Sequence, residues 1–266
     1  MKSIITGLVF ALLCLIFAAQ SNAAIDANTI EALWLFDDGS GNVIKDSSGN
    51  GRNGDIEGGS EWVAGRYDGA LKLNGIDGEV VITGYKGIGG TNGRTTVLWY
   101  KTSENVDGRL VCWGANATAL KYHIRVHPLA DFGTLRIETQ GGQLYANSPS
   151  ITDDEWHHLA VVLPDGSTMC HDHLLYVDGV LIEDRAGTDV GVDTDIVTND
   201  VEIGYDKNIG NGGYAPGAFD EVAIFNVALS EDDINTIMTQ GFAKSVVGVS
   251  SLDKLAATWA SLKISN

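Results

Sequence analysis

The best candidate for a cation site in this 266-residue chain is one short turn, Asp46-Ser47-Ser48-Gly49-Asn50-Gly51. It offers a carboxylate, an amide oxygen and free backbone carbonyls, the donors a hard cation such as calcium takes in flexible geometry. It is not an EF-hand, which needs a Glu twelve positions along and flanking helices. The competing reading is an Asx turn closed on its own backbone. Two histidine pairs invite a metal reading. In Trp156-His157-His158 the two rings would point to opposite faces of a strand and could not chelate one ion. In His171-Asp172-His173 they would share a face, so zinc or copper is geometrically open, but no third ligand stands out. Trp113, Tyr122, Tyr205 and Tyr214 are candidate platforms for a sugar, with Asn208 and Asn211 as polar partners. Tyr214 lies in the glycine-rich stretch 210–217. Core packing is the rival role for each aromatic. No Gly-x-Ser-x-Gly nucleophile turn occurs.

Charge and cysteines bound the rest. The chain has 17 Lys+Arg against 35 Asp+Glu, a formal net charge of −18. Nucleic acid needs clustered cations, so it is not an expected partner, and neither is an anionic lipid surface. With 44% hydrophobic residues the chain can fold around a core. Lys2 is the only charge before Asp26, Ile4 to Ala19 is almost wholly apolar, and Ser21-Asn22-Ala23 supplies small residues at −3 and −1. That order reads as a secretory signal cleaved after Ala23, giving a secreted or cell-surface protein with no membrane insertion in its mature form. Cys14 would leave with the leader, so Cys112 and Cys170 remain. An even pair in an oxidising compartment predicts a disulfide; two separate thiols are the alternative.

The elements that must position these residues are short strands divided by turn clusters. Strands are expected at 32–36, 70–74, 79–82, 95–100, 109–113, 122–126, 134–138, 156–163, 174–177, 180–182, 201–204 and 219–225. The runs 122–126 and 134–138 alternate strictly, which predicts one buried and one wet face. Gly75-Ile76-Asp77-Gly78 and Asp178-Gly179 each suggest a hairpin, the second with a type I′ turn. One helix follows Ser230, with Asp233 at its third position, Ile234, Ile237 and Met238 on one face, and Gly241 at its end. Such a series specifies an all-β fold and excludes a parallel α/β sheet. The expected layout is a leader over 1–23, one domain over 24–243, and over 244–266 a linker with a short amphipathic segment carrying Leu252, Leu255, Ala256, Trp259 and Leu262 on one stripe.

Several phrases together resemble LamG-like jelly-roll domains of the concanavalin A-like lectin/glucanase superfamily. They are Trp34-Leu35-Phe36-Asp37-Asp38-Gly39-Ser40-Gly41 with Asp46 to Gly54, Gly69 to Gly78, Glu155 to Val162, Leu175 to Gly179, and Phe219-Asp220-Glu221-Val222-Ala223-Ile224-Phe225 with the helix. The resemblance implies a two-sheet antiparallel jelly-roll sandwich over roughly 30–240. It further implies a structural calcium between an early loop and the last long strand, which would join Asp46 and Asn50 to Asp220. Related glucanases carry Glu-x-Asp-x-x-Glu or Glu-x-Asp-x-Glu on one strand; neither occurs here, and Glu231-Asp232-Asp233 falls in the helix cap. A non-catalytic module that binds an extracellular glycan or a surface protein is therefore expected. A structural or adhesive spacer and a divergent glycan hydrolase are the alternatives.

Overall fold

The computed structural model describes residues 25–207 and 213–247. The leader, Asn208, Asn211 and the stripe from Leu252 to Leu262 lie outside the described residues. Two antiparallel sheets face each other. The first has eight strands, in the order Val180–Leu181, Leu174–Val177, His157–Leu163, Arg94–Lys101, Pro216–Phe225, Gly69–Asn74 and Ser60–Ala64, with Ile30–Trp34 beside the second half of Pro216–Phe225. The second has nine, in the order Arg185–Thr188, Gln143–Ala146, Gly133–Glu138, Lys121–Pro128, Arg109–Gly114, Val201–Ile203, Glu79–Ile82, Gly54–Glu57 and Val43–Ile44. Alternate side chains from both sheets close one core, including Trp34, Leu71, Tyr100, Val161 and Phe219 from the first and Val80, Trp113, Tyr122, Ile124 and Ile137 from the second. This is the expected jelly-roll sandwich.

The outer face of the eight-stranded sheet is half covered. Helix Glu231–Gln240 starts on Ser230, whose hydroxyl accepts from Asp233 N while Asp233 accepts from Ser230 N. It lays Ile234 and Ile237 on Val97, Ala160, Ala223 and Phe225. After Gly241 the chain turns through Phe242–Ser245, and Val246–Val247 pairs in parallel with Ile25–Asp26.

Three expectations change. The Asp178-Gly179 hairpin forms, with both turn residues at positive φ (51° and 76°). The other does not: Gly69–Asn74 and Glu79–Ile82 lie in different sheets, and the turn between them is a crossover in which Asn74 Oδ1 accepts from Ile76, Asp77 and Gly78 N. The alternating strand Lys121–Pro128 is buried on both faces from Lys121 to Val126, because an ionic network covers its polar side. The third change is the disulfide. Cys112 and Cys170 are both free and buried. Strand alternation points Trp113 and Val111 into the core and Cys112 the other way, where the groups acting on it are Asp206, Arg109, Arg125 and Glu202. Cys170 packs within the core itself, so the two thiols are on opposite sides of a sheet.

Burial pushes the Cys112 thiol well up and the Cys170 thiol up to about 11. Both should be inert to a thiol reagent in the native mature protein and both should react once it is denatured. Dithiothreitol should leave the melting midpoint unchanged; a lowered midpoint would restore the bridge.

Candidate functional site

The half of the eight-stranded sheet's outer face that the described residues leave open forms a groove of two hollows. The larger, about 750 Å³, is floored by Lys72, Lys101, Gly217 and Ala218 and walled by Thr102, Glu104, Val106, Asp107 and Tyr214. It falls in the range of roughly 300–1,000 Å³ usual for small-ligand sites. The smaller, about 570 Å³, lies over Trp99 between Arg66, Asp178 and the helix end at Met238 and Thr239. Trp156 is the one residue lining both.

Trp156 is half-buried and precedes strand His157–Leu163, so it stands on the rim, outside the ladder. The next residue holds it there. His157 Nδ1 is 2.8 Å from Asp178 Oδ2 and Nε2 is 2.9 Å from Asp153 Oδ1. Asp178 also accepts from His158 N, which ties the turn after Val177 to the strand carrying Trp156. Burial alone would lower the His157 pKa; the two carboxylates outweigh it, and the pKa is raised. In Asp178 and Asp153 burial is likewise outweighed, by the imidazole and backbone N–H donors, and both are held below the ordinary carboxylate value. His158 faces outward beside Trp99, 5.1 Å between rings; burial pulls it down to about 4.

Of the four predicted platforms, one lines the groove. Tyr214 is half-buried there and stacked on Tyr205, with ring centres 3.7 Å apart and planes nearly parallel. Tyr205 is itself buried. Trp113 and Tyr122 stack on each other inside the core at 4.0 Å, so neither presents a face to solvent. Trp156 was missed because it reads as the first residue of an apolar strand. The acidic run Asp153-Asp154-Glu155 before it was the available signal, since a strand starting one residue later leaves the ring on the rim.

The calcium donors do not converge. Asp46 Oδ1 accepts from Leu33 N and Ser48 N, and Oδ2 from Ser48 Oγ and Arg52 N. Asn50 turns its amide nitrogen onto the carbonyls of Ile30 and Glu31. The Asp46 carboxylate and the Asn50 amide nitrogen are thus engaged by the protein's own chain. Asp220 Oδ2 accepts from Tyr67 N, and its Oδ1 is buried without a hydrogen-bond partner among the described residues. Burial, with Asp37 adding to it, raises its pKa to about 7 against the N–H donors of Tyr67 and Arg66. His171 lies in the 3₁₀ turn Cys170–Asp172 and His173 in the core, with its Nδ1 2.8 Å from Cys170 O. Among the described residues no group of three or more His, Cys, Asp or Glu is arranged to hold a metal, and no helix is long and apolar enough to cross a membrane.

The polar face of the nine-stranded sheet is closed. Lys121, Arg125 and Arg136 converge on Glu138, and Arg125 also pairs with Asp107. His123 Nε2 is 2.6 Å from Asp206 Oδ2. Burial would raise the Glu138 pKa, but the three cations pull it down to about 2; burial takes His123 down to about 4 despite Asp206.

A model of the concanavalin A-like lectin/glucanases superfamily matches residues 74–235. The chain belongs to that superfamily. Among solved structures, it is similar to domain 4 of AbnA, an extracellular GH43 arabinanase from Geobacillus stearothermophilus in complex with arabinotriose, at 18% identity and TM-score 0.58, over 79% of this chain and 98% of that one. It is also similar to the binding domain of Botulinum Neurotoxin DC in complex with SialylT (14%, TM-score 0.53, 80% of this chain, 51% of that one). A third is a Trypanosoma rangeli sialidase mutant displaying trans-sialidase activity (16%, TM-score 0.53, 81% and 33%). The chain thus spans about half of the toxin domain and a third of the sialidase. At these identities the likeness is one of fold. A search of curated proteins found no match.

The His157 clamp has a definite pH signature. A histidine with a raised folded pKa stabilises most below its unfolded value of 6.5 and loses that contribution as pH rises through the folded pKa. Its carboxylate partners contribute above their unfolded value of 3.8 and lose it as pH falls through their lowered pKa values. His157→Asn should therefore cost most stability between those limits and progressively less as pH rises through the raised histidine pKa, read as urea midpoints across pH. A cost that grows with pH would contradict the clamp.

Proposed function

We propose that this chain is a secreted, non-catalytic carbohydrate-binding module whose glycan lies in the groove on the outer face of the eight-stranded sheet. The observation that carries the reading is the pair of hollows meeting at Trp156, with Tyr214 on one wall. An aromatic ring stacks on the apolar face of a sugar, while flanking groups such as Lys72, Asn74 and Asp154 hydrogen-bond its hydroxyls. The arabinanase domain seen with arabinotriose supports the ligand class. The leader-like start of the sequence supports export. Against catalysis, the carboxylates with raised pKa values, Glu79, Glu202, Asp220 and Glu221, do not line the groove, so none is presented there as a general acid.

A structural calcium belongs to the same proposal, moved from the Asp46 turn to Asp220. What supports it is the partnerless buried Oδ1 of Asp220 and the nearby Asp37 carboxylate. A cation there would offset the two charges and fasten residues 65–68 to strand Pro216–Phe225.

A glycan array followed by calorimetry tests the binding. Trp156→Ala should weaken the best glycan about tenfold or more, as loss of a central aromatic anchor does, with the melting midpoint reporting folding. Retention of no glycan would overturn the reading in favour of a spacer, and release of reducing sugar would overturn its non-catalytic part. EDTA should lower the midpoint if calcium is bound; an unchanged midpoint removes calcium and leaves the glycan reading standing.

A further inference from the structure

We infer that the groove takes an internal stretch of a neutral polysaccharide chain, laid across both hollows with Trp156 between its residues. The inference rests on the glycan reading above and adds the ligand's length and charge. A site for one terminal sugar needs one enclosed hollow. Here two hollows of about 750 and 570 Å³ share Trp156 and no other residue, so occupants of the two would touch the same indole. Both lie on one sheet face, and Trp99 and Lys101 of the same strand, pointing the same way, underlie one hollow each. A chain passing Trp156 therefore continues along a single surface.

The second hollow asks for a hydroxyl-bearing occupant. Trp99 is 4% exposed, lines the hollow, and its Nε1–H has no acceptor among the described residues. A buried donor without an acceptor is costly, and a sugar hydroxyl would supply one. Arg66, exposed at the mouth with its guanidinium 4.8 Å from the Trp99 ring, brings further donors.

The charge of the lining decides against acidic sugars. Glu104 and Asp154 in one hollow and Glu155 and Asp178 in the other belong to a lining in which carboxylates outnumber basic side chains. Lys101 is 3.9 Å from Asp154, and His157 is held between Asp153 and Asp178, so each of these two cations already faces a carboxylate of the protein. A uronate or sialate would bring a negative charge into this field; hydroxyls would not.

The test is a calorimetric series of neutral oligosaccharides of one to six units, starting from arabino- and xylo-oligosaccharides, with sialyllactose and galacturonate oligomers as the acidic arm. Affinity should rise about tenfold or more between one and four units, which is about 1.4 kcal/mol per tenfold, and the acidic ligands should bind more weakly than neutral ones of equal length. Tyr214→Ala and Arg66→Ala, at opposite ends, should each lower affinity for the longer chains and flatten the length dependence. Equal affinity for one and six units, or tighter binding of the acidic series, would overturn this inference while the glycan reading stands. Binding of none would overturn both.

Discussion

Strand Pro216–Phe225 is hydrogen-bonded along both edges, and its register sets the position of nearly everything else on the eight-stranded sheet. One edge pairs with Arg94–Lys101; the other is shared, first by Gly69–Asn74 and then by Ile30–Trp34. Its inward residues, Phe219, Val222 and Ile224, enter the core, and Ala223 and Phe225 form the seat of the helix. The register against Arg94–Lys101 shifts between Asp220 and Ala223, and Glu221 sits at φ 45°. A bulge of this kind re-aims side chains at the cost of local strain. Here it lets two adjacent carboxyls hold backbone that no ladder reaches: Asp220 takes Tyr67 N and Glu221 takes Phe242 N. Burial raises both, to about 7 and about 8, so part of the sheet's stability is exchanged for anchoring one groove wall and the end of the helix.

The two outer faces are closed by different physics. On the eight-stranded sheet the cover is apolar, because Val97, Ala160 and Phe225 leave a surface that a single amphipathic helix can bury. The helix is short, so it stops before Trp99 and leaves the groove. On the nine-stranded sheet the cover is ionic. Three cations on Glu138, with Asp107 and Asp206 reaching in from loops, occupy the surface that alternation leaves polar. Charges so buried are stable only as a set, since removal of one leaves its partner unpaired. A ligand on that face would have to displace the network, whereas the groove on the other sheet asks only for displacement of solvent.

The same contrast explains what could be read from the chain. Strand positions, the type I′ turn at Asp178-Gly179 and the capped helix at Ser230 were legible because each rests on local chemistry: period-two alternation, positive φ, and a side chain bonding a nearby N–H. The crossover at Gly75-Ile76-Asp77-Gly78 was misread as a hairpin because a glycine-rich turn bends the chain the same way whether the next strand pairs with the last or joins the facing sheet. Cys112 and Cys170 looked like a pair because counting thiols carries no information on which face of a strand each occupies. The oxygen-rich Asp46 turn could be seen in the chain, but not that its carboxylate takes Leu33 N from another strand.

Trp156 shows why the site was harder to read than the fold. Trp113 and Tyr122 have the composition of a sugar platform and the position of core residues, because they alternate with polar partners inside strands whose other face is shut. An aromatic ring stays available only where the ladder stops and no opposing sheet covers it. Trp156 meets that condition because the strand begins at His157, and His157 is gripped from both sides by carboxylates on separate turns. The groove's platform is thus set by one residue of strand register and by a histidine whose role is to fix the rim. A shift of that strand by one position would send the indole toward the other face and leave two unconnected hollows.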